Sequence, residues 1–202
     1  MSKIKLSMVI PTYTLGADME EMALFCAESY MDQVDELIII EDSGIESEAL
    51  KKLADIYIVN DDNLGFTKNV NKGWAMAKGD FVAIASSDTY LISGKLDDLC
   101  VPGKVTSPLI VNQGIPRLAG PFWVTPKEVC EERGMLMEEM HTYCSDSEYD
   151  HRTKDIFQKV PSVRIHHRMA QTVRPAGIEG GSQQANDRQI YQQLIKEGKA
   201  AC

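Results

Sequence analysis

An α/β fold of three layers, with a parallel sheet covered by helices on both faces, is what the first half of this 202-residue sequence predicts. Two observations carry that prediction. Four short segments, Lys5–Ile10, Glu36–Ile40, Ile56–Val59 and Phe81–Ala85, have interiors that are apolar almost throughout, as strands buried on both faces require. The segments between them space their apolar residues at helical intervals, and strand alternating with helix is the pattern of a parallel sheet.

Each element has a local reason. The first strand stops at Pro11. From Asp18 to Tyr30, Met19, Met22, Ala23, Cys26 and Ala27 fall on one helical face, with Asp18 as a possible N-cap. Leu37-Ile38-Ile39-Ile40, flanked by acids, is the second strand; a weak helix over Ser47–Ala54 leads to the third. The polar turn Asn60-Asp61-Asp62-Asn63 precedes a helix over Gly65–Lys78, whose Val70, Trp74 and Ala77 share a face, and Gly79-Asp80 ends it before the fourth strand. The second half differs. Leu99–Pro121 is rich in Pro, Gly and short β-branched runs, reading as loops with one or two strands. Thr125 as cap, Pro126 in the first turn and Glu128 three residues after the cap predict a helix start, and that helix ends before Gly134. Val163–His166 reads as a strand, Pro175–Ser182 as a flexible Gly-rich passage, and Ala185–Lys196 as a last helix ending at Gly198. With no internal repeat, residues 1–202 read as one domain.

Composition narrows the function. Thirty acids against 21 Lys and Arg give a formal charge of -9, which argues against nucleic acid as a partner, because counterion release needs a basic face. An anionic small substrate stays open, since one metal ion reverses a local field. The five cysteines (Cys26, Cys100, Cys130, Cys144, Cys202) are odd in number and form no CxxC pair, so a reducing, cytoplasmic setting is expected. No 18-residue apolar stretch occurs, so no transmembrane segment is expected and any membrane contact would be peripheral.

In open α/β sheets ligands bind beyond the carboxyl ends of the strands. Those ends carry Pro11-Thr12-Tyr13, Glu41-Asp42-Ser43-Gly44, Asn60-Asp61-Asp62-Asn63 and Ser86-Ser87-Asp88-Thr89. Carboxylates gathered in three of the four groups repel one another unless a cation or donor groups stand between them. No GxGxxG follows the first strand, and neither GxxxxGK[ST] nor GxSxG occurs, which removes the main support for dinucleotide, P-loop and nucleophile-elbow readings.

In their order, these segments resemble the family 2 glycosyltransferases of the GT-A type, in particular a rhamnosyltransferase-like branch. SMVIPTY resembles the family's first strand and nucleotide-contacting loop, and LIIIEDSG its second strand. The 27 residues from Asn63 to Thr89 carry the fullest match, with Asn63, Gly65, Asn71, Gly73, Ala77, Gly79, Asp80, Asp88 and Thr89 in place. LAGPFWVTPKEVCEERG resembles the glycine and aromatic pair before a helix, SDSEYDHR the acidic motif, and RIHHR the late histidine region. The resemblance spans Lys5 to about His167. It departs at three points. Glu41 stands where the first Asp is usual; the metal motif keeps only Asp88, after Ser86 and Ser87; and Val70 occupies a slot that is Arg in some branches.

The resemblance implies a Rossmann-like three-layer sandwich with a mostly parallel, mixed sheet. Residues 1–90 would form the nucleotide-sugar half and 91–202 the acceptor-side half. It implies a metal-dependent inverting transfer, in polysaccharide biosynthesis, of a hexosyl or deoxyhexosyl group. The donor would be a nucleotide-diphosphate sugar, UDP- or dTDP-linked, and the acceptor a hydroxyl of a glycan or glycolipid. Pro11, Thr12, Tyr13, Glu41, Asp42, Asn63, Gly65, Asn71, Ser87 and Asp88 would contact the donor, with Lys68 or Lys72 meeting phosphate charge. Asp88 with His166 or His167 would hold Mn²⁺ or Mg²⁺, an imidazole favouring Mn²⁺. Asp146, with Glu148 second, would be the base that a single displacement needs.

Plainer roles stand beside these. Asp88 terminates a strand or caps the following segment, Asp146 is a surface acid, one of the two histidines is core, and Arg152 pairs with phosphate or with Asp150. Trp123 either packs the core or stacks on an acceptor sugar. Two other functions compete: a non-catalytic protein that binds sugar nucleotide or glycan, suggested by the thinned metal motif, and a nucleotidyltransferase, which the lack of a Gly-rich basic loop after the first strand disfavours.

Overall fold

The structure is a computed structural model that describes residues 5–114, 117–118, 120–169 and 181–199. Most of the Gly-rich passage expected to be flexible, residues 175–180, lies outside the described residues. The four strands predicted in the first half form: β1 (Leu6–Thr12), β2 (Glu36–Glu41), β3 (Ile56–Val59) and β4 (Phe81–Ala85). β1 lies parallel between β2 and β4, and β2 pairs parallel with β3. The helices between them are α1 (Ala17–Tyr30), α2 (Glu48–Leu53) and α3 (Gly65–Met76). Ser47 caps α2 through Oγ, which accepts from Leu50 N at 3.1 Å.

Beyond β4 the sheet becomes mixed. β5 (Thr89–Ser93), β6 (Val105–Ile110), β7 (Phe122–Pro126) and β8 (Phe157–His167) extend it to eight strands in the order β3-β2-β1-β4-β7-β6-β8-β5. β7 runs antiparallel to β4 and to β6, β8 parallel to β6, and β5 antiparallel to β8 on the outer edge. The remaining helices are α4 (Lys127–Arg133), α5 (Ser145–Thr153) and α6 (Ser182–Lys196).

The strand residues sort by parity, as the pleat demands. Leu6, Met8, Ile10, Leu37 and Ile39 join one apolar cluster with Ala23, Cys26, Ala27 and Tyr30 of α1. Val9, Ile38, Ile40, Val82 and Ile84 join the other, with Val70 and Trp74 of α3 and Tyr149 of α5. Both faces are therefore covered, which is why the four parallel runs are apolar almost throughout, with the buried Ser7 of β1 an exception.

Two local readings change. Thr125 and Pro126 are not a helix cap and first turn; they are the last residues of β7, paired with Val82 and Phe81, and α4 starts at Lys127. Proline is tolerated at the end of a strand as well as at a helix start, so local sequence does not separate the two. Trp123, weighed as an acceptor platform, is fully buried in β7. Its ring packs among Trp74, Tyr149 and Phe66, with centroids 6.3–6.5 Å away. It is core, and the acceptor role is withdrawn.

Candidate active site

A cavity of about 290 Å³ opens beyond the carboxyl ends of β1, β2 and β4, where the fold places ligands. Its walls come from three parts of the chain: Pro11, Thr12, Tyr13, Asp42, Asn63 and Gly65; Ser86, Ser87, Asp88 and His167; and Gly120, Pro121, Thr142, Tyr143, Cys144 and Asp146. Phe66 and Asn69 complete the lining.

Asp42 is spent on α3. Its carboxylate accepts from Leu64 N at 2.9 Å and Gly65 N at 2.8 Å, at the helix start, and from the Asn60 amide at 2.8 Å. An acid there complements the helix dipole. The Asn60 amide also donates to Asn69 Oδ1 at 2.7 Å, while Asn60 Oδ1 accepts from Lys72 Nζ at 2.7 Å. This chain ties a lysine to the cleft wall without placing it in the cleft. Gly65 has φ +83°, and a side chain there would run into the His141 ring; glycine therefore lets the 141–144 segment close over the start of α3.

Four sequence-derived donor or base assignments are not brought to the cleft. Glu41 is fully buried, and its carboxylate accepts from Thr12 Oγ1 at 2.7 Å, Thr14 Oγ1 at 2.9 Å, Thr14 N at 3.0 Å and Ser43 N at 2.9 Å. It fastens the β1 and β2 loops together. Asn71 clamps another loop, donating to Leu136 O at 2.8 Å and accepting from Leu136 N at 3.0 Å. Lys68 is exposed on α3, outside the lining. Glu148 is buried and bound through both oxygens to Arg152, at 2.5 and 2.8 Å, so Arg152 pairs with neither phosphate nor Asp150. Asp150 instead faces Arg117 at 3.1 Å. Glu148 is therefore withdrawn as a base.

The two histidines separate by strand parity. His166 pairs across the ladder with Tyr90 and stacks on it, with centroids 5.0 Å apart. His167 pairs with Thr89 and lines the cavity, its Nε2 3.2 Å from Asp88 Oδ1. The assignment of His166 as a metal ligand is withdrawn. Two hydrogen bonds fix the His167 backbone: its carbonyl accepts from Asn112 Nδ2 at 2.6 Å, and its N–H donates to Asn112 Oδ1 at 3.2 Å. Its Nδ1 lies 3.0 Å from the Gln113 amide nitrogen.

These residues fit a divalent cation. Adjacent ligands of an octahedral ion with bonds of about 2.1 Å lie about 3.0 Å apart, close to the Asp88–His167 spacing. Gln113 Oε1 is buried without a partner. Turning that amide over sets Oε1 against an Nδ1–H and leaves Nε2 as a lone pair, the arrangement a ligating histidine has. Among the described residues no group of three or more His, Cys, Asp or Glu forms a metal site, so an ion on this pair would take its remaining ligands from water or substrate oxygens.

Asp146 sits in the first turn of α5 and lines the third of these walls. Burial raises its carboxyl pKa above the ordinary value, with the nearby charge of Asp150 adding to the rise. The backbone N–H groups of Ser147, Asp146 itself and Gly120 only partly oppose it. Gly120 lies close against the carboxyl: a Cβ there would collide with Asp146 Oδ2 and lie 2.9 Å from its Cγ, so the Asp146 side chain would have to shift. Thr142, Tyr143 and Cys144 were not foreseen as lining residues, and nothing in their sequence marks them, because the 141–144 bend is set by contacts with α6.

Residues 7–100 match the family model described as Glycosyl transferase family 2. No curated protein sequence matches the chain significantly. Among solved structures, the chain is similar to S. aureus TarS, with TM-score 0.65 and 15% identity over 95% of this chain and 43% of that one. It is also similar to the mannosyltransferase PcManGT from Pyrobaculum calidifontis in complex with GDP-Man and Mn²⁺, with TM-score 0.68 and 16% identity over 98% of this chain and 66% of that one. For GalNAc-T7 with UDP, GalNAc and Mn²⁺ the TM-score is 0.68 at 12% identity, over 81% of this chain and 43% of that one. The chain thus spans less than half the length of two of these structures, and at such identities the likeness establishes the fold. That fold is the GT-A fold these glycosyltransferases share, and within it residues 7–100 are similar to the family 2 glycosyltransferases.

Proposed function

We propose that the chain transfers a sugar from a nucleotide-diphosphate donor to an acceptor hydroxyl, with inversion at the anomeric carbon. The observation that carries this reading is a single cleft lined by both the Asp88–His167 pair and a carboxyl of raised pKa, Asp146. Solved structures of the same fold hold UDP-GlcNAc, or GDP-Man with Mn²⁺, which supports a nucleotide sugar as the donor class. A hexosyl or deoxyhexosyl group on UDP or dTDP, a glycan or glycolipid acceptor and a role in polysaccharide biosynthesis complete the proposal.

Each wall then has a task. Tyr13, Asn63 and Asn69 bind and orient the nucleotide. Asp88 and His167 would hold a divalent ion, which would supply positive charge against the charge that grows on the diphosphate leaving group. Asp146 accepts the proton of the acceptor hydroxyl as it attacks; its raised pKa makes it a stronger base than an exposed aspartate. No helix among the described residues is long and apolar enough to cross a membrane.

The test is turnover. Incubated with UDP-glucose, UDP-GlcNAc, dTDP-rhamnose or GDP-mannose and Mn²⁺, the protein should release nucleoside diphosphate from one of them. D146N should abolish transfer, and the product should show inverted configuration by NMR. Retained configuration, or full activity in D146N, would refute the proposed chemistry.

A further inference from the structure

We propose that Asp187, on the C-terminal helix, is a positioning residue: it fixes the 141–144 bend and so sets both the far wall of the cleft and the place of Asp146. This rests on the transfer reading given above.

Asp187 is buried on α6 and takes three successive backbone N–H groups. His141 N donates to Oδ1 at 2.9 Å, while Thr142 N and Tyr143 N both donate to Oδ2 at 2.9 Å. Gln183, one turn earlier on α6, donates to Oδ1 at 3.0 Å. Successive N–H groups converging on one anion make a nest, a concavity suited to negative charge. These bonds hold the Asp187 carboxyl below the usual range despite burial, which works in the other direction.

The fixed segment leads straight to the base. Cys144, the next residue, is a non-glycine in the left-handed region, at φ 67° and ψ -9°. Such a conformation persists only where its surroundings over-determine it. Its carbonyl accepts from Glu148 N at 3.0 Å and opens α5, whose second residue is Asp146. On the other side, Thr67 N donates to His141 O at 3.1 Å, joining the bend to α3 and the donor wall. Thus one carboxylate orders the segment that spans from the donor side to Asp146.

Packing alone does not explain an acid here. The apolar contact of α6 with this segment is a small cluster around Met140 and Leu194. An apolar residue at 187 would leave three N–H groups without their acceptor. The carboxylate satisfies them together, and it does so on the side away from substrate, leaving Thr142, Tyr143 and Cys144 to face the cleft.

The test compares D187N, D187A and L194A, the last of which loosens α6 while keeping the carboxylate. Hydrogen exchange of the 141–143 amides should speed at least tenfold in D187N and more in D187A. In the transfer assay kcat should fall at least tenfold in D187N, while the Kd of UDP and GDP with Mn²⁺ stays within threefold. L194A should lower Tm but keep kcat, and if D187A fails to fold, D187N against L194A decides the matter. Equal losses of kcat in L194A and D187N, unchanged amide protection, or wild-type kcat in D187N would overturn the positioning role alone. No turnover by the wild type would refute the transfer reading, and this inference with it.

Discussion

Replacing Gly120 by alanine tests how closely the far wall is built around the base. The new methyl carbon would lie 2.9 Å from Asp146 Cγ and collide with Oδ2, whereas carbon atoms rest comfortably about 3.5–4.0 Å apart. Relief therefore needs a shift of about 0.6–1.1 Å by the carboxyl or by the 120–121 backbone. A misplacement near 1 Å is enough to cost on the order of 10²-fold in rate, and overpacking adds about 1–3 kcal/mol of destabilisation. G114A serves as control, because its methyl would meet nothing within 4 Å. Steady-state transfer with thermal melts should show G120A losing kcat by about a hundredfold, a Tm loss of several degrees and little change in nucleotide Kd. Wild-type kcat and Tm in G120A would refute both the close approach and the placement of Asp146 at the reacting centre.

Other expectations follow from the same geometry. Because burial raises the Asp146 pKa, the base is lost on protonation as pH falls through that raised value. The acid limb of kcat/KM should therefore lie above the ordinary aspartate value of about 3.9. Asp187 works the other way: its folded pKa is depressed, so its contribution to stability is complete above about pH 4 and fades as pH falls through the folded value. Chemical denaturation of wild type and D187N across that window should converge at low pH. E148A breaks a buried pair with Arg152 and should cost on the order of 3–5 kcal/mol by denaturant titration, with kcat per folded molecule retained. W123A should lose about 3–5 kcal/mol as a core truncation; a selective rise in acceptor KM, with unchanged stability, would instead restore the sugar-stacking role.

The parallel half of the sheet was legible because strands buried on both faces must be apolar at every interior position, and Leu37 to Ile40 are. The α1 face was legible for a related reason: Met19, Met22, Ala23, Cys26 and Ala27 recur at one helical period, and all are buried. Beyond β4 local sequence carried sheet membership only in part: Val163–His166 was legible as a strand and lies in β8, but Phe122–Pro126 was not. Phe122–Pro126 became a strand by pairing with Phe81–Ala85, and Trp123 became core by the same pairing. The strand ends pointed to the end of the sheet where the cavity lies, yet two acids there, Glu41 and Asp42, serve first as hydrogen-bond acceptors for neighbouring loops. The choice between His166 and His167 needs the register of β8 on β5, which neither residue reveals alone. Asp187 was invisible for a similar reason: its partners lie more than 40 residues away along the chain.

The most direct test of the central claim is calorimetric binding of UDP, dTDP, GDP, CDP and ADP, each with Mn²⁺, with Mg²⁺ and with chelator, to wild type and D88N. The account predicts one tight nucleotide whose binding requires the metal and collapses in D88N, while His167 and the rest of the fold remain intact by NMR. Metal-independent binding of equal strength in both proteins would contradict it, as would no binding of any nucleotide to the folded wild type.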